Sequence, residues 1–280
     1  MKHVFATYHP AVGMLYITAA LVLGMLTLHP VYLALSLAAG SCYAVYLHGA
    51  RRFCASLKFI LPMFLLVALA NPLFNHRGAT LLFYLFGNPV TQEAVLYGVC
   101  AGAMLAGVLI WCSCLEALIT HEKFLYLFGG AAPTLALMLS MILKLIPTAR
   151  YRARSIVQAQ DALLGQAQRP SIRSAARNAS VLVGWSMEDS IETADSMRAR
   201  GYGAGRGRTT FSLFRFRRVD ALALGALVCL LAASVWGMAL CLRGFAFYPV
   251  LAWPALSPLW YAPYALLLFF PLLVQCREVF

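Results

Sequence analysis

Six apolar runs, residues 11–28, 30–48, 57–73, 93–115, 220–242 and 256–275, keep their few charges at their ends. A helix needs about 20 such residues to cross the ~30 Å hydrocarbon core of a bilayer. Inside that core each backbone N–H and C=O must find its partner within the chain, which leaves helices or a closed barrel. The composition agrees: 62% of the 280 residues are hydrophobic and 11% charged, against roughly 45–50% and about 25% in soluble domains. The expected fold is all-α, a polytopic helical bundle in a membrane. The N-terminal MKHVFATYHP leads into the first run with no cleavage pattern at a sensible place, so that run reads as a retained helix.

Charge sets the orientation. Arg51, Arg52 and Lys58 follow the second run, and residues 148–218 hold thirteen Arg, no Lys and five acids. Positive residues gather on the cytoplasmic side, so both segments are expected there, with both termini cytoplasmic. A seventh apolar stretch, 132–146, is short and contains Lys144. If the third and fourth runs both cross, this stretch starts and ends on the cytoplasmic side and does not span. Pro147 is then expected to kink or end it, because proline lacks an N–H and clashes with the preceding turn. Residues 148–168 continue as a polar helix stopped by Pro170, and the two arms make an L. The expected organisation is a four-span membrane domain over 1–131, a cytoplasmic coupling domain over 132–219 and a two-span segment over 220–280. Residues 79–86 (ATLLFYLF) are too short to cross and belong at the interface.

Several function classes lose ground. Proton- or ion-coupled carriers keep ionisable groups within the membrane, and these runs scarcely offer them. Of the eight Cys, Cys42, Cys100, Cys112, Cys114, Cys229 and Cys241 lie in apolar stretches, without a CxxC pair or metal-ligand spacing, so they read as small apolar filler. Neither a metal site nor a cofactor is expected. The glycine-rich Gly201–Arg208 lacks the Lys-Ser/Thr of a phosphate-binding loop, and Phe211–Arg218 reads as an interfacial approach to the next span. No nucleic-acid partner is expected.

The stretch 172–200 carries the most information. Val183, Met187, Ile191, Ala194 and Met197 recur at three- and four-residue steps and form an apolar stripe on one helix, with Glu188, Glu192 and Asp195 beside it. Arg198 and Arg200 fall in the last turn, where cations oppose the negative end of the helix dipole. Gly201 is the expected residue just past the end, supplying a left-handed conformation.

The string Ser196-Met197-Arg198-Ala199-Arg200-Gly201-Tyr202-Gly203 resembles the Ala-Arg-Gly motif of T components of energy-coupling-factor (ECF) type ABC transporters, the family of the cobalt-transport permease subunit. Asn71-Pro72-Leu73-Phe74-Asn75 with Gly78, Leu135–Leu139 leading to Leu145-Ile146-Pro147-Thr148, and Ile156–Asp161 resemble further family segments in the same order. The resemblance implies a non-catalytic coupling subunit in a bacterial or archaeal cell membrane. Its partners would be two ABC-type ATPases and a membrane-embedded substrate-binding S component, importing a vitamin or trace metal. Coupling to the ATPases would run through two crossed helices, at Gln160, Asp161, Ala162 and Leu163 and at Ala199, Arg200 and Gly201. The first motif departs from the family, with Ala162-Leu163-Leu164 in place of Ala-Arg-Gly or Ala-Arg-Ser. Ala153-Arg154-Ser155 lies nine residues too early to replace it. From the residues alone, a stand-alone carrier and a membrane enzyme using Glu188, Glu192 and Asp195 stay open as alternatives.

Overall fold

The computed structural model describes residues 8–75, 78–85, 88–130, 132–164, 171–205, 214, 216–247 and 258–279. The chain divides into two compact units, one of Met1–Phe124 with Phe214–Phe280 and one of Leu125–Leu213. The first holds α1 (Pro10–Leu26), α2 (Pro30–His48), α3 (Ala50–Phe74), α4 (Gln92–Leu118), α8 (Arg218–Leu242) and α9 (Ala262–Val279). The second holds α6 (Pro133–Leu164) and α7 (Ile172–Ala199), and α5 (His121–Gly129) runs across the boundary. The last two apolar runs thus share a compact unit with the first four.

Each expected apolar run is met by a helix over most of its described residues. Among the described residues α2, α3, α4, α6 and α8 are long and apolar enough to cross a bilayer, and the chain is a multi-pass membrane protein. Helix α1 and the apolar part of α9, Ala262–Val274, are shorter. By length and composition alone α6 qualifies as a span, so only parity and the arginines around it set it apart.

Helices α1 and α2 begin with the same device. His9 and His29 each precede a proline, and each Nδ1 accepts the backbone N–H two residues on, Ala11 and Val31, at 3.3 Å. The proline at the first helical position has no N–H to leave unpaired. His29 is buried in the connection between the two helices against Phe245, Tyr32 and Tyr261. Loss of hydration there lowers its pKa below the ordinary histidine value.

In lipid the hydrophobic effect does not hold helices together, so close packing and interhelical hydrogen bonds must. The core draws on α1, α2, α4, α8 and α9, with Tyr16, Tyr43 and Trp111 at its centre in edge and tilted contacts 6.0–6.3 Å apart. Their polar atoms are used. Tyr16 donates to the Leu268 carbonyl at 2.8 Å and Trp111 Nε1 to Ser36 Oγ at 3.0 Å. At the α1 and α8 starts, buried Asp220 accepts the N–H groups of His9 and Arg217 at 3.0 and 2.9 Å. The carboxylate therefore sits against the N-terminal ends of two helices, where the dipoles favour negative charge.

The apolar stretch 79–86 carried no expected secondary structure beyond being too short to cross. Its residues Leu81–Leu85 are a strand (β1) paired antiparallel with Asn88–Thr91 (β2), with a bulge between Leu81 and Phe83. Pairing supplies the backbone partners that a lone extended segment would lack. Leu81, Leu82 and Tyr84 are exposed.

A correction concerns Pro147. It does not end the helix, for α6 runs from Pro133 to Leu164 with Pro147 inside it. The missing proline N–H removes one rung, but Thr148 Oγ1 donates to the Lys144 carbonyl at 3.1 Å, so a side chain adds a local bond beside the lost one. The Arg-, Ala- and Gln-rich sequence beyond has high helix propensity and carries the helix on. The two stretches expected to meet at Pro147 are therefore parts of one helix assignment. The stop expected at Pro170 lies outside the described residues.

Candidate functional site

Helices α6 and α7 pair with each other in the second unit. The Arg152 guanidinium lies 3.4 Å over the Trp185 ring centroid, and Arg177 Nη2 donates to Gln160 Oε1 at 3.3 Å. Between these contacts α6 advances eight residues, 152 to 160, while α7 retreats eight, 185 to 177. The helices are therefore antiparallel in register over this stretch. The less exposed residues trace the same seam: Ala149, Ala153, Ile156 and Gln160 on α6, and Ser174, Asn178, Leu182, Trp185, Ser186 and Asp189 on α7. Both sets step by three and four. The resemblance implied paired coupling helices, and over residues 152–160 and 177–185 α6 and α7 pair antiparallel.

The apolar stripe of α7 lies on its other side. At 100° per residue, Met187 points opposite Asn178, and Val183 and Ile191 flank Met187 within about 40°. These three are 58–64% exposed. Helix α7 buries no residue fully. It thus spends its polar and aromatic face on α6 and leaves an apolar stripe open, with exposed Glu188, Glu192 and Asp195 along one edge.

The end of α7 is built as its sequence leads one to expect. Ala199 is the last residue of α7, Arg200 is the C-cap, and Gly201 follows at φ +80°. The Gly201 N–H donates to Arg198 O at 2.9 Å and the Tyr202 N–H to Met197 O at 3.0 Å. This pair of bonds closes a Schellman motif and uses two carbonyls that a helix end would leave open. Arg198 lies 3.9 Å from Asp195 in a highly exposed pair, worth at most about 1 kcal/mol. The exposed Arg200 guanidinium has no partner among the described residues.

The first motif differs residue by residue. Gln160 is tied to Arg177, and Asp161 is half-buried. Among the described residues Ala162 is exposed and Leu163 is 86% exposed. The structure does not bring the two motifs together. Gln160 is level with Arg177 on α7, and Arg200 lies 23 residues further along that helix, roughly 34 Å at 1.5 Å per residue. The pair presents one motif near each end.

The Asn71–Gly78 segment acts inside the first unit. Asn71 Nδ2 donates to the Ala94 carbonyl at 3.0 Å, and buried Glu93 accepts from the Thr80 N–H at 3.3 Å. At Gly78 (φ +148°) a Cβ would fall 2.6 Å from both Glu93 Oε2 and Thr91 Oγ1. Only glycine fits there, and the segment fastens the end of α3 to the start of α4. Nearby in sequence to α4's other end, Lys123 donates to the Leu118 carbonyl at 3.1 Å, and burial lowers its pKa from the ordinary lysine value.

Trp185 and the cap histidines were missed by sequence reasoning. A tryptophan on the polar side of an amphipathic helix was a signal for Trp185, and the repeated His-Pro before an apolar run was one for the caps. Compared with known proteins, the chain matches no family model and no curated protein.

Proposed function

We propose that this chain is the transmembrane coupling component of an ECF-type ABC importer in a bacterial or archaeal cell membrane, with both termini in the cytoplasm. It docks two ATPase subunits on the α6–α7 pair, holds a membrane-embedded S component, and passes ATPase motion to it for uptake of a vitamin or trace metal. The observation that supports this best is the build of α7. One face is committed to α6, the opposite face exposes Val183, Met187 and Ile191, and the helix ends in a capped Arg200 that has no side-chain partner among the described residues. A permanently charged, planar five-donor group on a fixed helix end suits an acidic or carbonyl-lined groove on a partner. The roughly 34 Å between the motifs along the helix suits two partners better than one.

The test is recovery of ATPase subunits with the tagged chain from its native membrane. Truncating a desolvated interfacial arginine costs about 2–4 kcal/mol, roughly 30- to 700-fold in affinity. Arg200→Glu should therefore abolish recovery while the chain still accumulates in the membrane. Leu163→Ala should weaken it only mildly, since an apolar contact at a rim is worth less. If Arg200→Glu recovers ATPases as the parent does, Arg200 is a helix end and nothing more.

A further inference from the structure

The α6–α7 pair has almost nothing of an ordinary core. Neither helix fully buries any described residue, and the seam is lined by Ala149, Ala153, Ser174, Asn178 and Ser186 with few larger apolar groups. Small and polar residues of this kind permit close approach but do not fix register, because sliding one helix by a turn replaces small residues with similar ones. Something else must set the alignment. The side-chain contacts across the seam include the Arg152–Trp185 stack at 3.4 Å and the Arg177–Gln160 hydrogen bond at 3.3 Å. A slide of one turn, about 5.4 Å, would lose both.

Their placement matters as much as their chemistry. Trp185 lies 15 residues before Arg200 on α7, and Arg152 lies 11 residues before Leu163 on α6. The stack is thus roughly 22 Å from one motif and roughly 16 Å from the other. A force applied at either end reaches the far end only if the helices do not slip or twist against each other at this point. Between them, the guanidinium and the indole meet face on, where the ring's negative quadrupole attracts the cation.

We propose that Arg152 and Trp185 form a clasp that makes α6 and α7 move as one body, so that they are positioning residues for the coupling reaction. The proposal rests on the coupling function given above for its purpose, but the clasp itself can be tested without it. In a version of the full chain lacking the eight native cysteines, Gln160→Cys and Arg177→Cys are introduced together. Bridging of the two cysteines by a short bifunctional thiol crosslinker is then followed in native membranes, with and without magnesium and a non-hydrolysable ATP analogue. This pair removes the Arg177–Gln160 hydrogen bond and leaves the stack in place.

With Trp185 intact, crosslinking should be fast and independent of nucleotide. Adding Trp185→Ala should slow it about two- to fivefold, the change that an exposed cation–π contact supports, and should make it sensitive to nucleotide. Trp185→Phe should restore much of the rate, and Arg152→Ala combined with Trp185→Ala should be no slower than Trp185→Ala alone. A merely structural tryptophan would lower the amount of chain in the membrane and introduce no response to nucleotide. Crosslinking at the same rate with Trp185→Ala, or a parent rate that changes with nucleotide, overturns the proposal. If the parent recovers no ATPase subunits, the coupling function falls, while the nucleotide-free rates still decide whether the clasp exists.

Discussion

Helix α4 carries two glycines one turn apart, Gly98 and Gly102, on the face against α3. A Cβ at Gly98 would lie 2.7 Å from the Ala68 carbonyl oxygen, and one at Gly102 would lie 2.8 Å from that of Phe64. Both obstacles are backbone, so no side chain can turn aside. Ordinary contact begins near 3.4 Å, and alanine at either site must part the helices by about 0.6–0.7 Å. Gaps of that size forfeit a quarter to a half of each van der Waals well along the contact. In lipid, no hydrophobic gain compensates the loss. Overpacking of this kind costs about 1–3 kcal/mol, while exchanging glycine for alanine in a helix returns about 1 kcal/mol. The net for Gly98→Ala or Gly102→Ala is a loss of up to about 2 kcal/mol each, and less than twice that together, because both push the same helix pair apart. Gly225 on α8 has nothing within 4 Å of its Cβ position, so Gly225→Ala should be neutral or stabilising. Unfolding in detergent can be followed through buried Cys100 and Cys114 on α4 itself, using a thiol-reactive dye after the exposed cysteines are replaced. The α4 variants should melt about 2–6 °C below the parent and Gly225→Ala should not. If Gly98→Ala and Gly102→Ala melt with the parent or above it, the backbone approach of α3 and α4 is not a stabilising contact.

If positive charge holds the block 148–218 on the cytoplasmic side, single cysteines placed near residue 150 should stay unlabelled by an impermeant reagent in intact cells and react once the membrane is opened; labelling from outside would invert the topology. The purified chain, free of partners, should hydrolyse no ATP and bind no cargo tightly, since it carries no phosphate-binding motif and scarcely any charge in its apolar runs. Measurable hydrolysis would refute the coupling role.

What was readable in the sequence followed from rules that act locally. Helix positions came from charge-free apolar length, and the boundary of α7 came within a residue from its stripe, its terminal arginines and Gly201. Backbone and dipole requirements at a helix end are set by a few neighbouring residues, so they survive into the fold. Pro147 failed as a stop because a proline removes one rung and a favourable flanking sequence outvotes it. The hairpin was hidden by its second strand, where Asn88-Pro89-Val90-Thr91 shows no alternation to betray pairing. The close approach of α3 and α4 was readable in principle from Gly98-x-x-x-Gly102, a spacing that puts two small residues on one face.

The site divides along the same line. Arg200 could be read from its own helix, because the cap that fixes it involves residues 196–202 alone. The Arg152–Trp185 stack joins residues 33 apart in sequence and depends on which face of α7 meets α6. The apolar stripe invites the wrong answer here: it suggests that Val183, Met187 and Ile191 seal the helix pair, whereas the pair forms through the opposite, more polar face. A helix that packs at home through its polar side and leaves its apolar side open is built backwards for a protein that acts alone. The exposed stripe has a free-energy cost in water of about 25 cal/mol per Å² of apolar surface, and that cost is offset only when another surface covers it. The same feature that made the sequence misleading about internal packing is therefore what turns α7 into a candidate docking element.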